Sequence, residues 1–483
     1  MLSKKKGIIV LSLMLLVAVM AGCSGDSTTT ELIEGVEGPD QVIVGVESDE
    51  FVATGETGSS YIWEVAGANM GIFTAPNDAN TKFIPSEEAA QYGTVNISVM
   101  INNTEKNLPS IEVLKNESKT EYAEGTFHAI VTTSDKKREG YIAAGTIGPL
   151  ALEEAKNPYM VKADNRGLII DQKEFDRDGR FYDVQDIAHW GLGDSYYLIG
   201  YGEVSSGFYK SFVLKLNNKM EIEEEYNPED EDSQEDQVTT KVYLRSGIVS
   251  THVFTSDYIV AVGNYDDGET VLPYITKINI ADGSDKEDYY FLNEKDTTLS
   301  NPYYNLESIV ETDDGYIAVG YTGNSRNDSD GILLTLNSDF QIKTLETDFG
   351  SKLYKIKEVS QEIKNNKNVE FVVVGDNGYI AEVDSNGNIA NSTKLESGLV
   401  FRDVIVDGTD YVVVGEEDKE QGVVVKIKSG SSNYTYKQNY GRYLYGVAKA
   451  TDNDYLLAGH SADENSYVVK VDSNLEVVKR VKE

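Results

Sequence analysis

The segment Asp314-Gly-Tyr-Ile-Ala-Val-Gly320 contains one of seven short apolar runs that end in glycine. The runs occupy positions 140–145, 196–200, 259–263, 316–320, 371–375, 411–415 and 455–459. A second apolar run follows each glycine after a loop of variable length, and most of these second runs end in Asp or Asn. They occupy positions 159–164, 212–217, 274–279, 332–337, 379–384, 423–428 and 467–472. Because weaker strand patterns flank each pair of runs, every repeat unit is predicted to contain four β-strands.

The spacing of these glycines predicts the architecture. Successive glycines are 55, 63, 57, 55, 40 and 44 residues apart. Four strands per unit at such a period predict the blades of a β-propeller, whereas the rungs of an open β-solenoid are usually shorter. We therefore predict an all-β fold in which residues 127–483 form a seven-bladed β-propeller. The predicted blades span 127–180, 181–244, 245–303, 304–352, 353–399, 400–443 and 444–483.

Two segments are candidates to close the predicted ring. The run from Leu475 to Val481 would complete the last blade as its outer strand. Alternatively, the segment near Glu121 to Thr126 would complete that blade from the other end of the chain. Either arrangement removes an exposed sheet edge, and the sequence does not choose between them.

The segment from Asp314 to Gly320 also resembles a known repeat. It is similar to the Asp-Gly-Tyr-Ile-x-x-Gly repeats of β-propellers in bacterial surface and secreted proteins. The resemblance covers about three quarters of the chain. It implies a fold and no particular reaction, because one fold supports many functions.

Composition limits the classes of function. Hydrophobic residues make up 40% of the 483 residues, which is enough to build real cores. The formal net charge is −38, from 81 acidic and 43 basic residues. This balance argues against a nucleic-acid partner, because a phosphate-binding face needs an excess of Lys and Arg. The single cysteine excludes an internal disulfide and a zinc–thiolate site.

The N-terminus has the pattern of a secretory signal. Three lysines precede an apolar run from Ile8 to Met20, and Ala21 and Gly22 precede Cys23. This order resembles the lipobox of bacterial lipoproteins, and the alternative is an ordinary signal peptide with an incidental cysteine. The resemblance implies removal of residues 1–22, lipidation of Cys23 and anchoring to a membrane of the cell envelope, outside the cytoplasm. Residues 23–40 are polar and predict a flexible tether.

Residues 41–116 predict a small β-sandwich. Gln41 to Val46 begins a strand, and Val95 to Ile101 alternates with a period of two. The order of these strands and of Trp63 resembles bacterial immunoglobulin-like and polycystic-kidney-disease-type domains. The resemblance implies that Trp63 packs in the core between two sheets, and that the domain is a spacer or an adhesion unit.

Catalytic motifs are mostly missing from the sequence. The four histidines form no His-x-x-x-His pair, and there is no Gly-x-Ser-x-Gly segment. His128, His189 and His252 fall in or near predicted innermost strands. There they would either hold a metal or act as a base in the channel, or simply pack in its wall, and we expect packing. No catalytic residue and no organic cofactor is predicted.

Acidic residues recur in the loops between the second and third strands. In a propeller these loops share one face, which is a usual binding surface. We hypothesise an acidic face suited to Ca²⁺ or to a basic partner, and the alternative is that this face merely shares the acidity of the whole chain. Its main residues are Asp266, Asp267, Asp328, Asp330, Glu416, Glu417 and Asp463.

These features predict a lipid-anchored surface protein with a non-catalytic role. The propeller would bind or scaffold an envelope protein or a glycan. The alternative is an envelope enzyme that acts on polysaccharide, as a glycosidase or lyase. Channel-lining carboxylates, with sugar rings stacked on tyrosine, would favour that alternative.

Overall fold

The computed structural model describes residues 35–478, apart from short gaps. The gaps are 40, 45–47, 49, 56, 115–118, 134–139, 149–156, 166, 168, 176–181, 191–194, 206–207, 228–240, 251–257, 267, 269, 281–285, 291–302 and 326–327. The expected signal peptide, Cys23 and most of the tether therefore lie outside the described residues. None of the helices in the described part of the chain has the length and apolar character needed to span a bilayer. The chain divides into two compact units near residue 113.

The first unit consists of small antiparallel sheets and one short helix. Its elements are β1 Gly35–Glu37, β2 Gln41–Ile43, β3 Phe51–Thr54, β4 Tyr61–Val65, β5 Gly71–Phe73, β6 Asn80–Thr81, β7 Phe83–Pro85, α1 Glu87–Tyr92, β8 Thr94–Val95, β9 Ile97–Ile101, β10 Thr104–Asn107 and β11 Ile111–Leu114. The sheets have the strand orders β1-β3-β6, β10-β9-β4, β2-β11-β8 and β5-β7.

Trp63 is at the centre of the first unit, as predicted. Its side chain is buried, and its ring centroid lies 6.0 Å from that of Phe51 and 6.0 Å from that of Phe73. The indole Nε1 donates a hydrogen bond of 2.9 Å to the main-chain oxygen of Asp78. The predicted core position of Trp63 is therefore confirmed.

The second unit consists of seven sets of antiparallel strands. The first four sets are β12 Lys119–Thr133, β13 Gly140–Ile147, β14 Asn157–Asp164, β15 Ile169–Glu174; β16 Tyr182–Trp190, β17 Ser195–Ser205, β18 Phe208–Leu216, β19 Ile222–Tyr226; β20 Lys241–Ser250, β21 Tyr258–Asp266, β22 Val271–Asn279, β23 Lys286–Tyr290; and β24 Tyr303–Thr312, β25 Gly315–Ser325, β26 Asp328–Asn337, β27 Ile342–Glu346. The last three are β28 Leu353–Glu358, α2 Gln361–Lys367, β29 Phe371–Gly375, β30 Tyr379–Val383, β31 Ile389–Lys394; β32 Leu399–Asp407, β33 Asp410–Glu417, β34 Gln421–Lys428, β35 Tyr434–Gln438; and β36 Tyr443–Lys449, β37 Tyr455–His460, β38 Asn465–Val471.

The first strands of the seven sets form a closed circle. Each first strand contacts the first strand of the next set, and β36 contacts β12. Apolar side chains of the second and third strands pack between neighbouring sets, and β29 and β30 are buried along their whole length. The predicted first and second apolar runs are thus confirmed as buried strands. This arrangement fits a β-propeller with a central channel.

The N-terminal end of β12 completes the last set. Lys119 pairs with Val469 and Glu121 pairs with Tyr467, so β12 begins as the fourth strand beside β38 and continues as the first strand of the first set. The other candidate segment contributes only an isolated bridge between Val471 and Val477 among the described residues. The strand near Glu121 therefore closes the circle.

A β-bulge in each first strand explains the repeated glycine. In the first set, Phe127 pairs with Gly145 and Ala129 pairs with Ala144, which leaves His128 as an extra residue. A Cβ atom on Gly145 would lie 1.9 Å from the main-chain oxygen of Thr126. At the other six repeat glycines the corresponding distance is 1.8–2.1 Å. No residue with a side chain fits there without moving the backbone, so each apolar run ends in glycine.

Candidate functional site

Each of the seven bulges leaves one polar or aromatic residue of a first strand outside the regular pairing. These residues, which we call the bulge ring, are His128, Gln185, Arg245, Glu307, Tyr354, Arg402 and Tyr445. All seven are half-buried. Because a bulged residue lies outside the regular pairing, its side chain can point away from the packed faces of the sheet. The bulges therefore gather seven chemically active side chains around the channel.

Contacts link the bulge ring around much of its circumference. The ring centroids of His128 and Tyr445 are 5.0 Å apart, which joins the first and last sets. Nη1 of Arg245 donates a hydrogen bond of 2.9 Å to Oε1 of Gln185 in the set before it. The guanidinium of Arg402 lies 4.4 Å from the ring centroid of Tyr354, in cation–π geometry. These contacts hold the side chains in defined positions.

Arg402 and Glu416 form a buried ion pair beside the ring. Nη2 of Arg402 is 2.7 Å from Oε1 of Glu416, and its Nε is 3.3 Å from Oε2. The Glu416 side chain is only 3% exposed. Burial alone would lower the pKa of Arg402, but the Glu416 carboxylate raises it above its ordinary value. Arg402 therefore keeps its charge beside the Glu416 carboxylate.

Glu307 is the bulge-ring carboxyl group whose pKa is raised. Burial raises its pKa above the ordinary value, and the nearby positive charges of Arg245 and Arg402 oppose this rise without cancelling it. Nδ2 of Asn305 donates a hydrogen bond to Oε1 of Glu307. A carboxyl with a raised pKa keeps its proton to higher pH, so Glu307 is suited to donate a hydrogen bond or a proton.

Tyrosine rings surround the bulge ring at one end of the channel. They lie where the first strands begin and the second strands end, and we call this end the channel mouth. They form three groups of neighbouring rings, with Tyr321 next to Tyr354 of the bulge ring and Tyr443 next to Tyr445. The groups are Tyr201, Tyr209 and Tyr243; Tyr303, Tyr321 and Tyr354; and Tyr443, Tyr445 and His460. The mouth thus combines flat rings with hydrogen-bonding groups.

An ion pair crosses the channel directly below the bulge ring. Lys355 belongs to the fifth set and Asp186 to the second, and Nζ of Lys355 is 3.3 Å from Oδ2 of Asp186. The same Oδ2 accepts a hydrogen bond of 2.5 Å from Oγ of Ser246. The two charged side chains are 16% and 12% exposed. We call Lys355 and Asp186 the cross-channel pair.

The acidic residues predicted to form one face do not act as one cluster. Glu416 is buried against Arg402, and Glu417 accepts a hydrogen bond of 2.5 Å from the hydroxyl of Tyr436. Oδ1 of Asp266 accepts a hydrogen bond from the main-chain nitrogen of Gly268, Oδ1 of Asp330 accepts hydrogen bonds from those of Gly331 and Ser351, and Asp463 is exposed. In the described part of the chain, no three His, Cys, Asp or Glu side chains are grouped as metal ligands.

Two residues predicted for the acidic face, and the predicted lipidation site, are not fully described by the structure. Asp267 and Cys23 lie outside the described residues, and the side chain of Asp328 is not described. The Ca²⁺ site and the lipidation site therefore stay predictions. Glu416, in contrast, must be removed from the expected exposed face, because its carboxylate is already neutralised by Arg402.

The predicted channel histidines have different environments. His128 belongs to the bulge ring, and its Nε2 lies 3.5 Å from Oδ1 of Asp183. His189 stacks on Tyr196 with ring centroids 4.8 Å apart. His252 lies outside the described residues. The placement of His128 and His189 on first strands is confirmed, and only His128 is part of the site.

The residues that build the site were mostly not predicted. A local pattern does mark them, because each bulge-ring residue stands between a large apolar residue and a smaller or charged one, as in Leu306-Glu307-Ser308 and Leu353-Tyr354-Lys355. The pattern places its bulge-ring residue 13 to 21 residues before each repeat glycine. It could have been found by aligning the repeats on their glycines.

His460 makes the stability of the last set dependent on pH. It is 2% exposed and stacks on Tyr443 with ring centroids 4.7 Å apart. Burial first, and then the charges of Arg442 and His128, lower its pKa from 6.5 to about 4. Since an unfolded histidine has the higher pKa, its contribution to stability is complete above about pH 6.5 and is lost as the pH falls towards 4.

We expect His460→Phe to flatten this part of the pH profile. Phenylalanine keeps a ring against Tyr443 and removes the proton-binding site. The free energy of unfolding of the parent should fall by about 3 kcal/mol more than that of the variant between pH 7 and pH 4. Urea denaturation at a series of pH values measures the free energy of unfolding of both proteins. The carboxylates titrate in both, so their effect cancels when the two profiles are subtracted. Parallel profiles for the two proteins would contradict the assignment.

Comparison with known proteins gives distant structural neighbours. No protein family and no curated protein matches the sequence. Sqt1 of Saccharomyces cerevisiae is 9% identical with a TM-score of 0.44, over 74% of this chain and 100% of that chain. A xylan β-1,4-xylosidase from Bacillus halodurans C-125 is 10% identical with a TM-score of 0.30, over 93% of this chain and 91% of that chain.

A third neighbour is the GH43_1 enzyme of Xanthomonas citri, solved in complex with xylose. It is 8% identical with a TM-score of 0.29, over 75% of this chain and 93% of that chain. The three neighbours are β-propeller-like.

Proposed function

We propose that the chain is a lipid-anchored protein of the cell envelope that binds a neutral saccharide at the mouth of a seven-bladed propeller. The closed circle of seven strand sets supports the seven blades. The small sheets around Trp63 support an immunoglobulin-like spacer between the anchor and the propeller. The basic Lys4–Lys6 segment and the Ala21-Gly22-Cys23 sequence support the anchor.

The saccharide proposal rests on one observation, the combination of tyrosine rings and compensated charges at the channel mouth. Sugars present flat apolar faces, which stack on aromatic rings, and hydroxyl groups, which need both donors and acceptors. Gln185, Glu307 and Tyr445 supply such groups in the bulge ring. Arg402 is paired with Glu416. Burial lowers the pKa of Arg245, but Tyr201, Glu307 and Asp183 raise it above its ordinary value. Both cations therefore already have acidic groups beside them, and neither selects by itself for an anionic ligand.

Titration calorimetry with neutral oligosaccharides tests the proposal. Suitable probes are the β-1,4-linked hexasaccharides of glucose, xylose and N-acetylglucosamine. We expect at least one probe to bind, and Tyr445→Ala to weaken that binding by about tenfold or more, since a lost ring removes stacking and an adjacent hydroxyl. Tyr92→Ala is the matched control, because Tyr92 is 64% exposed in the first unit. Binding that survives Tyr445→Ala unchanged would place the ligand elsewhere.

The anchor has its own test. Cys23→Ala should move the protein from the membrane fraction to the soluble fraction of lysed cells, because two acyl chains hold a protein firmly on a bilayer. Cys23 is the only cysteine, so no other thiol can take the lipid. A variant that stays in the membrane fraction after a carbonate wash would exclude lipidation at Cys23.

A second candidate function is hydrolysis or elimination at the same mouth. The raised pKa of Glu307 favours it, because a protonated carboxyl in a polysaccharide-binding channel can serve as the general acid. Release of reducing ends from any bound probe would identify an enzyme, and Glu307→Gln should abolish that release while leaving binding intact. Asp418→Asn, in an exposed loop, is the control. Binding without release would leave the non-catalytic function.

A further inference from the structure

The cross-channel pair closes the channel below the mouth. Lys355 and Asp186 are separated by two strand sets in one direction around the circle and by three in the other. Their contact therefore spans the channel itself and is not part of the packing between neighbouring sets. Both side chains are well shielded from solvent.

Further contacts hold the cross-channel pair in place. Asp186 also accepts hydrogen bonds from Oγ of Ser246 and, through Oδ1, from the main-chain nitrogen of Ile187. The Asp186 and Asp403 carboxylates raise the pKa of Lys355 against the effect of burial, so the amine keeps its charge. Asp403 is itself fixed, because its Oδ2 accepts a hydrogen bond of 3.0 Å from the main-chain nitrogen of Val447. The closure is thus built by several strand sets together.

The closed level lies immediately beneath the bulge ring. Lys355 directly follows Tyr354, and Asp186 directly follows Gln185. One residue along a strand advances by about 3.3 Å, which is less than the width of a sugar ring. A ligand that contacts the bulge ring therefore meets the cross-channel pair before a second sugar unit can enter. The cross-channel pair therefore limits the depth of the pocket at the channel mouth.

We infer that this pocket receives the terminal unit of a saccharide chain and excludes internal segments; the inference rests on the proposed saccharide binding. An internal segment has chain on both sides, and a chain threaded through the channel would have to break the cross-channel pair. A terminal sugar instead carries one free hydroxyl that an internal sugar uses for its linkage. Gln185 and Glu307, at the depth of the bulge ring, offer donors and acceptors for that hydroxyl.

The test compares chains that differ in length and in their ends. The probes are the di-, tetra- and hexasaccharides of whichever sugar binds the full-length protein, together with the soluble polymer of the same sugar. If the terminal unit is recognised, affinity per chain should change by no more than about threefold from the tetrasaccharide to the polymer. Each polymer chain should then bind one protein molecule whatever its length, as measured by sedimentation.

Each outcome decides one of the two proposals. Several protein molecules bound along each polymer chain would overturn the terminal-unit inference and leave saccharide binding standing. No binding of any saccharide would overturn both. A hexasaccharide whose reducing-end ring has been opened with borohydride identifies the end: retained affinity assigns the non-reducing terminus, and loss assigns the reducing terminus. Equal loss of affinity for the modified chain and for the modified polymer would confirm that one terminus is essential.

Discussion

A chain that begins at residue 125 should unfold at a clearly lower temperature than a chain that begins at residue 114. The two differ by eleven residues, and the shorter one lacks the part of β12 that pairs with β38. Its absence would leave β38 as an open edge and would remove the hydrogen bonds that join the last set to the first strand of the circle. Because each such hydrogen bond contributes roughly 1 kcal/mol, we expect the free energy of unfolding to fall by about 4 kcal/mol. Calorimetry of the two chains measures the difference.

A point variant of the full-length chain separates pairing from length. Thr120→Pro removes a main-chain donor where Thr120 pairs with Val468, and it should reproduce much of the loss. Glu121→Ala is the control, because it changes only an exposed side chain that bonds Asn465. Equal melting temperatures for the chains that begin at 114 and 125 would show that the circle does not depend on this strand.

Replacing Arg402 by methionine should destabilise the protein by about 3–5 kcal/mol, because the variant leaves the Glu416 carboxylate buried without its partner. The pair makes two hydrogen bonds in a site where the carboxylate is almost unexposed to water. Removing both charges is a different change, since no charge then remains to be solvated. The double variant Arg402→Met with Glu416→Met should therefore recover most of the lost stability.

Urea denaturation of the parent, the two single variants and the double variant gives the coupling energy directly. Arg442→Met is a suitable control, because its partner Glu464 is about half exposed and such pairs contribute little. A double variant as unstable as Arg402→Met would show that the loss comes from the contact of the guanidinium with Tyr354 and not from the unpaired charge of Glu416.

The buried strands could be predicted from sequence because their signal is local. An apolar run that ends in glycine marks the second strand of each set, and a run that ends in Asp or Asn marks the third. The glycine is required because a main-chain oxygen of the neighbouring strand leaves no room for a Cβ atom. This requirement involves only one pair of adjacent strands. The start of β12 carried a weaker signal, because Glu121 and Glu124 are exposed and interrupt the alternation.

The site could not be predicted because it depends on long-range closure. Lys355 and Asp186 meet only when all seven sets complete the circle. Glu416 was assigned to an exposed face because charge alone suggests exposure, whereas its partner Arg402 stands on the adjacent strand, 14 residues away. The direction of a bulged side chain also depends on a one-residue shift in pairing, which composition does not reveal.

The bulges also separate the chemistry of the channel mouth from the folding of the chain. A bulge-ring residue has no partner in the register of its strand, so its identity is not fixed by the packing between sheets. Exchanging residues at six of these positions, all except Arg402 with its buried partner Glu416, should change which compound is recognised while the neighbouring glycines and apolar residues keep the scaffold intact. These six positions therefore define a compact library for directed evolution of new binding specificities on this scaffold.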